Sequence, residues 1–240
     1  QEHSIPRAHG SYEELVNDSD VEIIYVATPN SHHKEHALMA LNAGKSVLCE
    51  KSFTLNEKEA QQVVEAARKN NVFLMEANWM PFFPMFRKMS QLIKDDVIGD
   101  VHFLQADLGF QNNHTLNPGI INPDIGGGAL LACGVYPITL ASFVFGDTPK
   151  SISAFAKMNE QTGVDETVSV ILTYENGKMA NLSTSIIANL NSEALIIGTK
   201  GKIKLHGMCC CPLKLTLSVN GEQDVHFSET LPECQPFDAF

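Results

Sequence analysis

Basic side chains are scarce in this 240-residue chain: 17 Lys and Arg stand against 28 Asp and Glu, a formal charge of −11 with histidine neutral. A surface of that sign repels phosphate backbones and anionic headgroups, so nucleic-acid binding and docking on an acidic membrane are poor readings. Long apolar stretches are missing as well. No run approaches the roughly 20 residues that span a bilayer, and Gln1-Glu-His-Ser-Ile-Pro6 has no apolar signal-peptide core, which sets a cytoplasmic expectation. Cysteine is sparse: of six, Cys209, Cys210 and Cys211 are consecutive and the rest scattered, in a chain too large to need staples, so reduced thiols are expected. Internal repeats and low-complexity tracts are absent. The first residue is Gln and the final stretch Cys234 to Phe240 holds no closing element, so both ends read as cut.

What is present is ordinary for a globular protein, 44% hydrophobic and 19% charged residues, enough to bury the core of one large domain or two modest ones. The β-branched run from Val21 to Ala27 predicts a strand buried on both faces of a parallel sheet. A helix follows from about Ser31 to Ala43, with Ala37, Leu38 and Leu41 at helical spacing and Gly44 as its stop. Ser46 to Cys49 is the next strand. Asn56 is placed to cap a helix running through Lys69 with Ala60, Val63, Val64 and Ala67 on one face, and Val72 to Met75 makes a third strand. Tyr12 to Asn17 closes a short helix ahead of the first strand. Alternating strands and helices of this length imply right-handed crossovers and an α/β domain.

Beyond about Gly99 the texture changes. Strand-like runs recur at 101–108, 151–157, 167–174, 178–187, 194–197, 202–206 and 214–219, with turn signals at Glu175-Asn-Gly177 and Asn220-Gly221. One helix, from about Gly128 to Val144 and preceded by Gly126-Gly-Gly128, interrupts them. The predicted class is α/β: residues 1–98 form a partial Rossmann-like parallel sheet, the C-terminal half of a dinucleotide-binding domain, and residues 99–240 an α+β domain with a large open, mostly antiparallel sheet.

Two loops on one edge of the parallel sheet attract attention. Thr28-Pro29-Asn30 lies at the carboxyl end of the first strand, where open α/β sheets bind ligands; the plainer alternative is a strand-to-helix turn with Asn30 or Ser31 as cap. Glu50-Lys51 lies at the same end of the next strand, and a lysine there either holds a cofactor and lowers the pKa of a neighbouring hydroxyl or is a solvated strand end. In Gly126-Gly-Gly-Ala-Leu-Leu-Ala-Cys-Gly-Val-Tyr136 the glycines permit close approach, and Ala132 and Tyr136, four apart, would share a helix face. A phenol so placed serves as a proton donor or acceptor, or packs in a core. The i, i+4 pair His32 and His36 lacks the zinc-protease pattern and reads as helix surface or capping, and Cys209 to Cys211 lack the gap of a zinc knuckle. Trp79, the sole tryptophan, is an aromatic pocket wall or a core residue.

Taken together these segments resemble the glucose–fructose oxidoreductase and inositol dehydrogenase family across nearly the whole chain. Val26-Ala-Thr-Pro-Asn-Ser-His-His33 is similar to its strand-turn-helix signature, Ala43-Gly-Lys-Ser-Val-Leu-Cys-Glu-Lys51 to the segment ending in its Glu-Lys-Pro motif, the stretch from Gly126 to Tyr136 to its active-site helix, and Gly198-Thr-Lys-Gly201 to its late sheet turn. The resemblance implies hydride transfer with NADP, NAD being the alternative, and a homodimer formed through the open sheet. Met75-Glu-Ala-Asn-Trp79, Phe82-Phe-Pro84, Tyr136 in place of the commoner histidine and Val144-Phe-Gly146 narrow the implied substrates to trans-dihydrodiols of benzene or naphthalene and pentoses such as D-xylose.

By the same resemblance Tyr136 is the catalytic acid/base and Lys51 supports it and the nicotinamide. Thr28, Pro29, Asn30, His33, Glu50 and Lys51 are implied at the cofactor, Trp79 and Ala132 at the substrate pocket, and no metal is implied. The chain departs from the family pattern at three places. The opening glycine-rich Gly-x-Gly-x-x-Gly turn is absent, Ala132 stands where an aspartate is usual, and Ser52 stands where the motif has proline. The alternative function is therefore a catalytically silent relative that binds or dimerises through its sheet.

Overall fold

A computed structural model describes residues 5–112, 118–146 and 148–230. The residues on which the reading of cut ends rested lie outside these. The chain divides into two compact units, Gln1–Asn78 with Asp124–Gly127, and Trp79–Pro123 with Gly128–Phe240.

The first unit runs α1 (Tyr12–Asn17), β1 (Ile23–Val26), α2 (Asn30–Asn42), β2 (Ser46–Cys49), α3 (Glu57–Asn70) and β3 (Leu74–Glu76). Its strands pair in parallel in the order β1-β2-β3, the strand-helix-strand alternation expected of the sequence. Local chemistry sets the boundaries. The Asn56 side chain accepts the Glu59 N–H at the start of α3, acidic Glu57 and Glu59 sit in its first turn and basic Arg68 and Lys69 in its last, the signs that suit the helix dipole. Gly44, at φ 77°, and Asn71, at φ 53°, end α2 and α3 in the left-handed region. Val26, Leu41, Val47, Cys49 and Val63 form the buried centre.

One expectation fails here. β1 is not buried on both faces: Ile24 and Val26 point into the core with α2 and α3, whereas Ile23 and Tyr25 are 54% and 55% exposed. An apolar run reports hydrophobicity but not how many layers cover it.

The second unit contains α4 (Pro84–Lys94), β4 (Val101–Gly109), α5 (Val135–Phe145) and then β5 (Ser151–Met158), β6 (Asp165–Thr173), β7 (Met179–Ser185), β8 (Ala194–Gly198), β9 (Gly201–His206), β10 (Lys214–Val219) and β11 (Val225–Ser228). They form one sheet in the order β11-β10-β9-β8-β4-β7-β6-β5, antiparallel except for the β4–β7 pair. Phe86 and Met89 of α4 and Leu140 of α5 pack with Leu104, Leu182 and Ile196 on one side of the sheet. Alternation along the strands leaves the opposite side open, with Phe155 80% exposed and Ile171 and Met179 also outside.

Helix α4 and strand β11 were not read from the sequence. Buried Met85, Phe86, Met89 and Leu92 give α4 a helical stripe that two prolines and two phenylalanines just upstream obscure. Because α4 packs with the second unit, the units part at Asn78 and Trp79, ahead of the change of texture near Gly99. The helix expected over 128–144 is a π-helical turn, Leu130–Gly134, that leads into α5.

The segment Pro123–Phe145 is long and apolar enough to cross a membrane by length and composition, which corrects the expectation that no run approaches that length. In this fold Tyr136, Pro137, Leu140 and Ala141 are buried, so α5 is a core helix of its unit. The five described cysteines, Cys49, Cys133, Cys209, Cys210 and Cys211, are buried and none is in a disulfide.

Candidate active site

The candidate residues of the first unit gather at the carboxyl ends of its three parallel strands. β1 runs into Thr28-Pro29-Asn30, and the cap position of α2 is Pro29, with no side-chain hydrogen bond. This corrects the alternative in which Asn30 or Ser31 caps the helix: Asn30 Nδ2 instead donates to the Gly126 carbonyl at 2.9 Å. Gly126 sits at φ 79°, and a Cβ there would lie 2.8 Å from the Asn30 Cβ and 2.6 Å from Leu55, so this glycine serves close packing within the unit. Thr28 Oγ1 lies 3.0 Å from His36 Nδ1. The His36 ring stacks on His32 with centroids 5.5 Å apart and meets Tyr12 at 4.4 Å, a helix-surface cluster.

At the end of β2, Glu50 takes two bonds: the Tyr25 hydroxyl donates to Oε1, and the Lys51 N–H donates to Oε2 at 3.1 Å. Lys51 is half-buried, and the peptide from it to Ser52 is cis. Ser52 is buried, and the next N–H, of Phe53, donates to Glu76 Oε1 at 3.0 Å from the end of β3. His33, in the first turn of α2, is buried between the two loops. Its Nε2 is 2.6 Å from the Thr28 carbonyl oxygen and its Nδ1 2.8 Å from that of Ser52.

The electrostatics follow from burial. Desolvation pushes the Tyr25 phenol up to about 12, helped by its bond to Glu50. It also pushes the Cys49 thiol up to about 12, with the Glu76 and Glu50 charges acting the same way. Glu76 is held above the usual carboxylate range mainly by burial and also by the Glu50 charge, against the opposing pull of the Phe53 N–H, Lys51 and His33. Burial likewise lowers His36.

The remaining candidates belong to the second unit. Tyr136 lies in the first turn of α5, 8% exposed, and Ala132 lies within the π turn before it, its N–H donating to the Gly128 carbonyl at 3.0 Å. The wider turn alters the angular step per residue, so a spacing of four no longer stacks these two side chains as it would in an α-helix. Gly128 has φ 116°, and a Cβ there would come within 2.2 Å of Asp165 Oδ1, while Asp165 Oδ2 accepts the Leu130 N–H at 2.6 Å. Trp79 is half-buried, edge-to-face with Phe83 at 5.7 Å and packed against the core of its unit. Sequence reasoning missed Glu76 and Asp165. Glu76 ends a strand as Glu50 does, which was a usable signal; Asp165 lies 37 positions beyond Gly128 and carried none.

Two family descriptions match the sequence of this chain, one in each half. Residues 2–78 match the oxidoreductase family with the NAD-binding Rossmann fold, and residues 86–204 match the GFO/IDH/MocA C-terminal domain. The chain belongs to the GFO/IDH/MocA family of oxidoreductases.

It is 41% identical over 224 residues to trans-1,2-dihydrobenzene-1,2-diol dehydrogenase of Xenopus tropicalis, covering 93% of this chain and 66% of that protein. To the dehydrogenase of the same name from Macaca fascicularis it is 38% identical over 239 residues, 99% of this chain and 70% of that one. The chain thus spans about two thirds of the length of these relatives. Among solved structures, a 3-ketoreductase from Actinomadura kijaniata in complex with NADP and TDP-benzene has the same fold, with a TM-score of 0.80 at 24% identity over 91% of this chain and 68% of that one.

The donors at the edge of the parallel sheet suit the nicotinamide ribose end of a dinucleotide. Thr28 and Lys51 follow the carboxyl ends of adjacent parallel strands, the edge at which open α/β sheets receive a dinucleotide. No Gly-x-Gly-x-x-Gly turn occurs in the 240 residues to receive the pyrophosphate.

Proposed function

We propose that this chain carries the catalytic residues of an NADP-dependent oxidoreductase that oxidises trans-dihydrodiols or D-xylose-type sugars by hydride transfer. The carrying observation is the pair of pinned loops, Thr28–Asn30 and Glu50–Ser52, at the carboxyl ends of parallel β1 and β2. The roughly 40% identity to dihydrodiol dehydrogenases supports the substrate class.

When bound, the nicotinamide supplies the hydride acceptor. Oxidation of a carbinol also requires that the hydroxyl proton be taken up, and Tyr136 is the base in this proposal, acting as phenolate. Lys51, at the end of β2, hydrogen bonds to the nicotinamide ribose in this proposal. Thr28, Pro29, Asn30 and Glu50 fix the edge on which Lys51 stands, and Trp79 and Ala132 shape the substrate pocket.

The test is a titration of the purified chain with NADPH, read by the emission of Trp79, the sole tryptophan, together with turnover of a trans-dihydrodiol. Both are repeated on a version extended to the relatives' length. Tyr136→Phe is expected to lower kcat by about 10²–10⁴ while NADPH still binds. Neither binding nor turnover in either folded chain would sink the proposal.

A second reading is favoured by Ala132 and by exposed Phe155, Ile171 and Met179: a silent relative that associates through the open face of its sheet. Sedimentation velocity separates the readings, since a dimer lost on Phe155→Asp without any NADPH binding supports the second.

A further inference from the structure

We infer that His33 is a doubly protonated, buried cation that ties the loop after β1 to the loop after β2. Its effect on Lys51, as a positioning residue, rests on the proposed function; its protonation state does not.

The ring is 1% exposed, and each of its nitrogens faces a main-chain carbonyl oxygen, Thr28 at 2.6 Å and Ser52 at 2.8 Å. A carbonyl only accepts. A neutral imidazole has one N–H and one bare lone pair, so either tautomer sets a lone pair against a lone pair at less than 3 Å, with no water to intervene. Turning the ring over puts Cδ2 and Cε1 at the two oxygens and forfeits both bonds. The imidazolium alone donates to both.

The titratable groups around the ring come from three elements. Glu76 comes from the end of β3, Cys49, Glu50 and Lys51 from the end of β2, and His32, Glu35 and His36 from α2. Glu76 feels Glu50, Lys51 and His33, and His36 feels His32, His33 and Glu35.

The clamp joins residues far apart in sequence. Thr28 precedes α2, Ser52 follows β2, and the carbonyl that His33 holds is that of the Ser52–Phe53 peptide, one residue beyond Lys51. The turn that presents Lys51 is therefore fixed through a carbonyl at position 52. Serine there serves this contact as any residue would, since the backbone makes it.

Side-chain ¹⁵N NMR of histidine-labelled chain at neutral pH tests the inference directly. The expected result is two protonated nitrogens on His33, both protected from exchange. One bare nitrogen would overturn it, whatever the enzyme assay gives, and loss of the dehydrogenase activity would leave this readout untouched.

His33→Gln is the second arm, because a single amide nitrogen does not reach both carbonyls as the two separated ring nitrogens do. It is expected to speed exchange of the Phe53 amide by about tenfold or more while α2 stays formed, with His36→Gln unchanged as control. Unchanged Phe53 exchange in His33→Gln overturns the clamp. If His33→Gln does not fold, the wild-type nitrogen spectrum decides.

Discussion

The two units solve the problem of staying folded differently. The second lays α4 and α5 on one side of eight strands and buries a continuous apolar layer from Met80 to Leu217. The first has three short strands with one side of β1 exposed and a core only about ten residues large. At the carboxyl edge of its sheet polar groups replace bulk: Asn30 on Gly126, His33 on two carbonyls, Glu76 on Phe53. Apolar burial is non-directional and fixes how much a unit weighs against unfolding, whereas directional hydrogen bonds fix where a loop lies.

That contrast can be broken from either side. Phe86→Ala, at a ring that is fully buried and edge-to-face with Phe143, is expected to cost the second unit about 3–5 kcal/mol in urea denaturation. Leu41→Ala, in the thinner core of the first unit, should cost about 2–3 kcal/mol, and an equal or larger loss would refute the contrast.

Gly128→Ala should cost about 2 kcal/mol or more, since φ 116° disfavours any L side chain and the new Cβ meets Asp165. Asp165→Ala in the same background relieves only the clash and should recover part of the loss. Asn56→Ala removes the cap of α3 and should cost about 1 kcal/mol, read as faster exchange of the α3 amides.

The smallest effect concerns Glu76. Its folded value lies above the unfolded one, so the protonated acid is the form the fold favours. That contribution is complete below the unfolded value and lost as pH rises through the folded one. Glu76→Gln keeps an acceptor for the Phe53 N–H. It should match the wild type in acid and become the more stable of the two toward neutral pH, in thermal melts across that range. A crossing in the opposite direction would show that the charges of His33 and Lys51 outweigh burial.

Much of the fold was legible because it rests on short-range rules. Tyr12–Asn17, Ser46–Cys49 and Lys214–Val219 have the predicted limits, and Asn56 caps α3 as its residue type suggests. The stretches that escaped were set by neighbours distant in sequence. α4 is placed by a sheet that begins after it, and the π turn before Tyr136 by packing that a four-residue period does not encode. At the candidate site the sequence brought Thr28, Asn30, Glu50 and Lys51 to one sheet edge by counting strands. It did not reveal that Asn30 bonds Gly126, nor that Glu76 holds the turn after Lys51.

By itself, then, the sequence determined the alternation of strands and helices, the caps and stops that bound them, and the edge on which the polar residues collect, because each depends on side chains within a few positions of one another. The tertiary structure alone decided which face of β1 stays bare, why Gly128 must be glycine, and that both nitrogens of His33 meet carbonyl oxygens. Those outcomes depend on groups brought together from remote positions, and on how many layers and partners surround them.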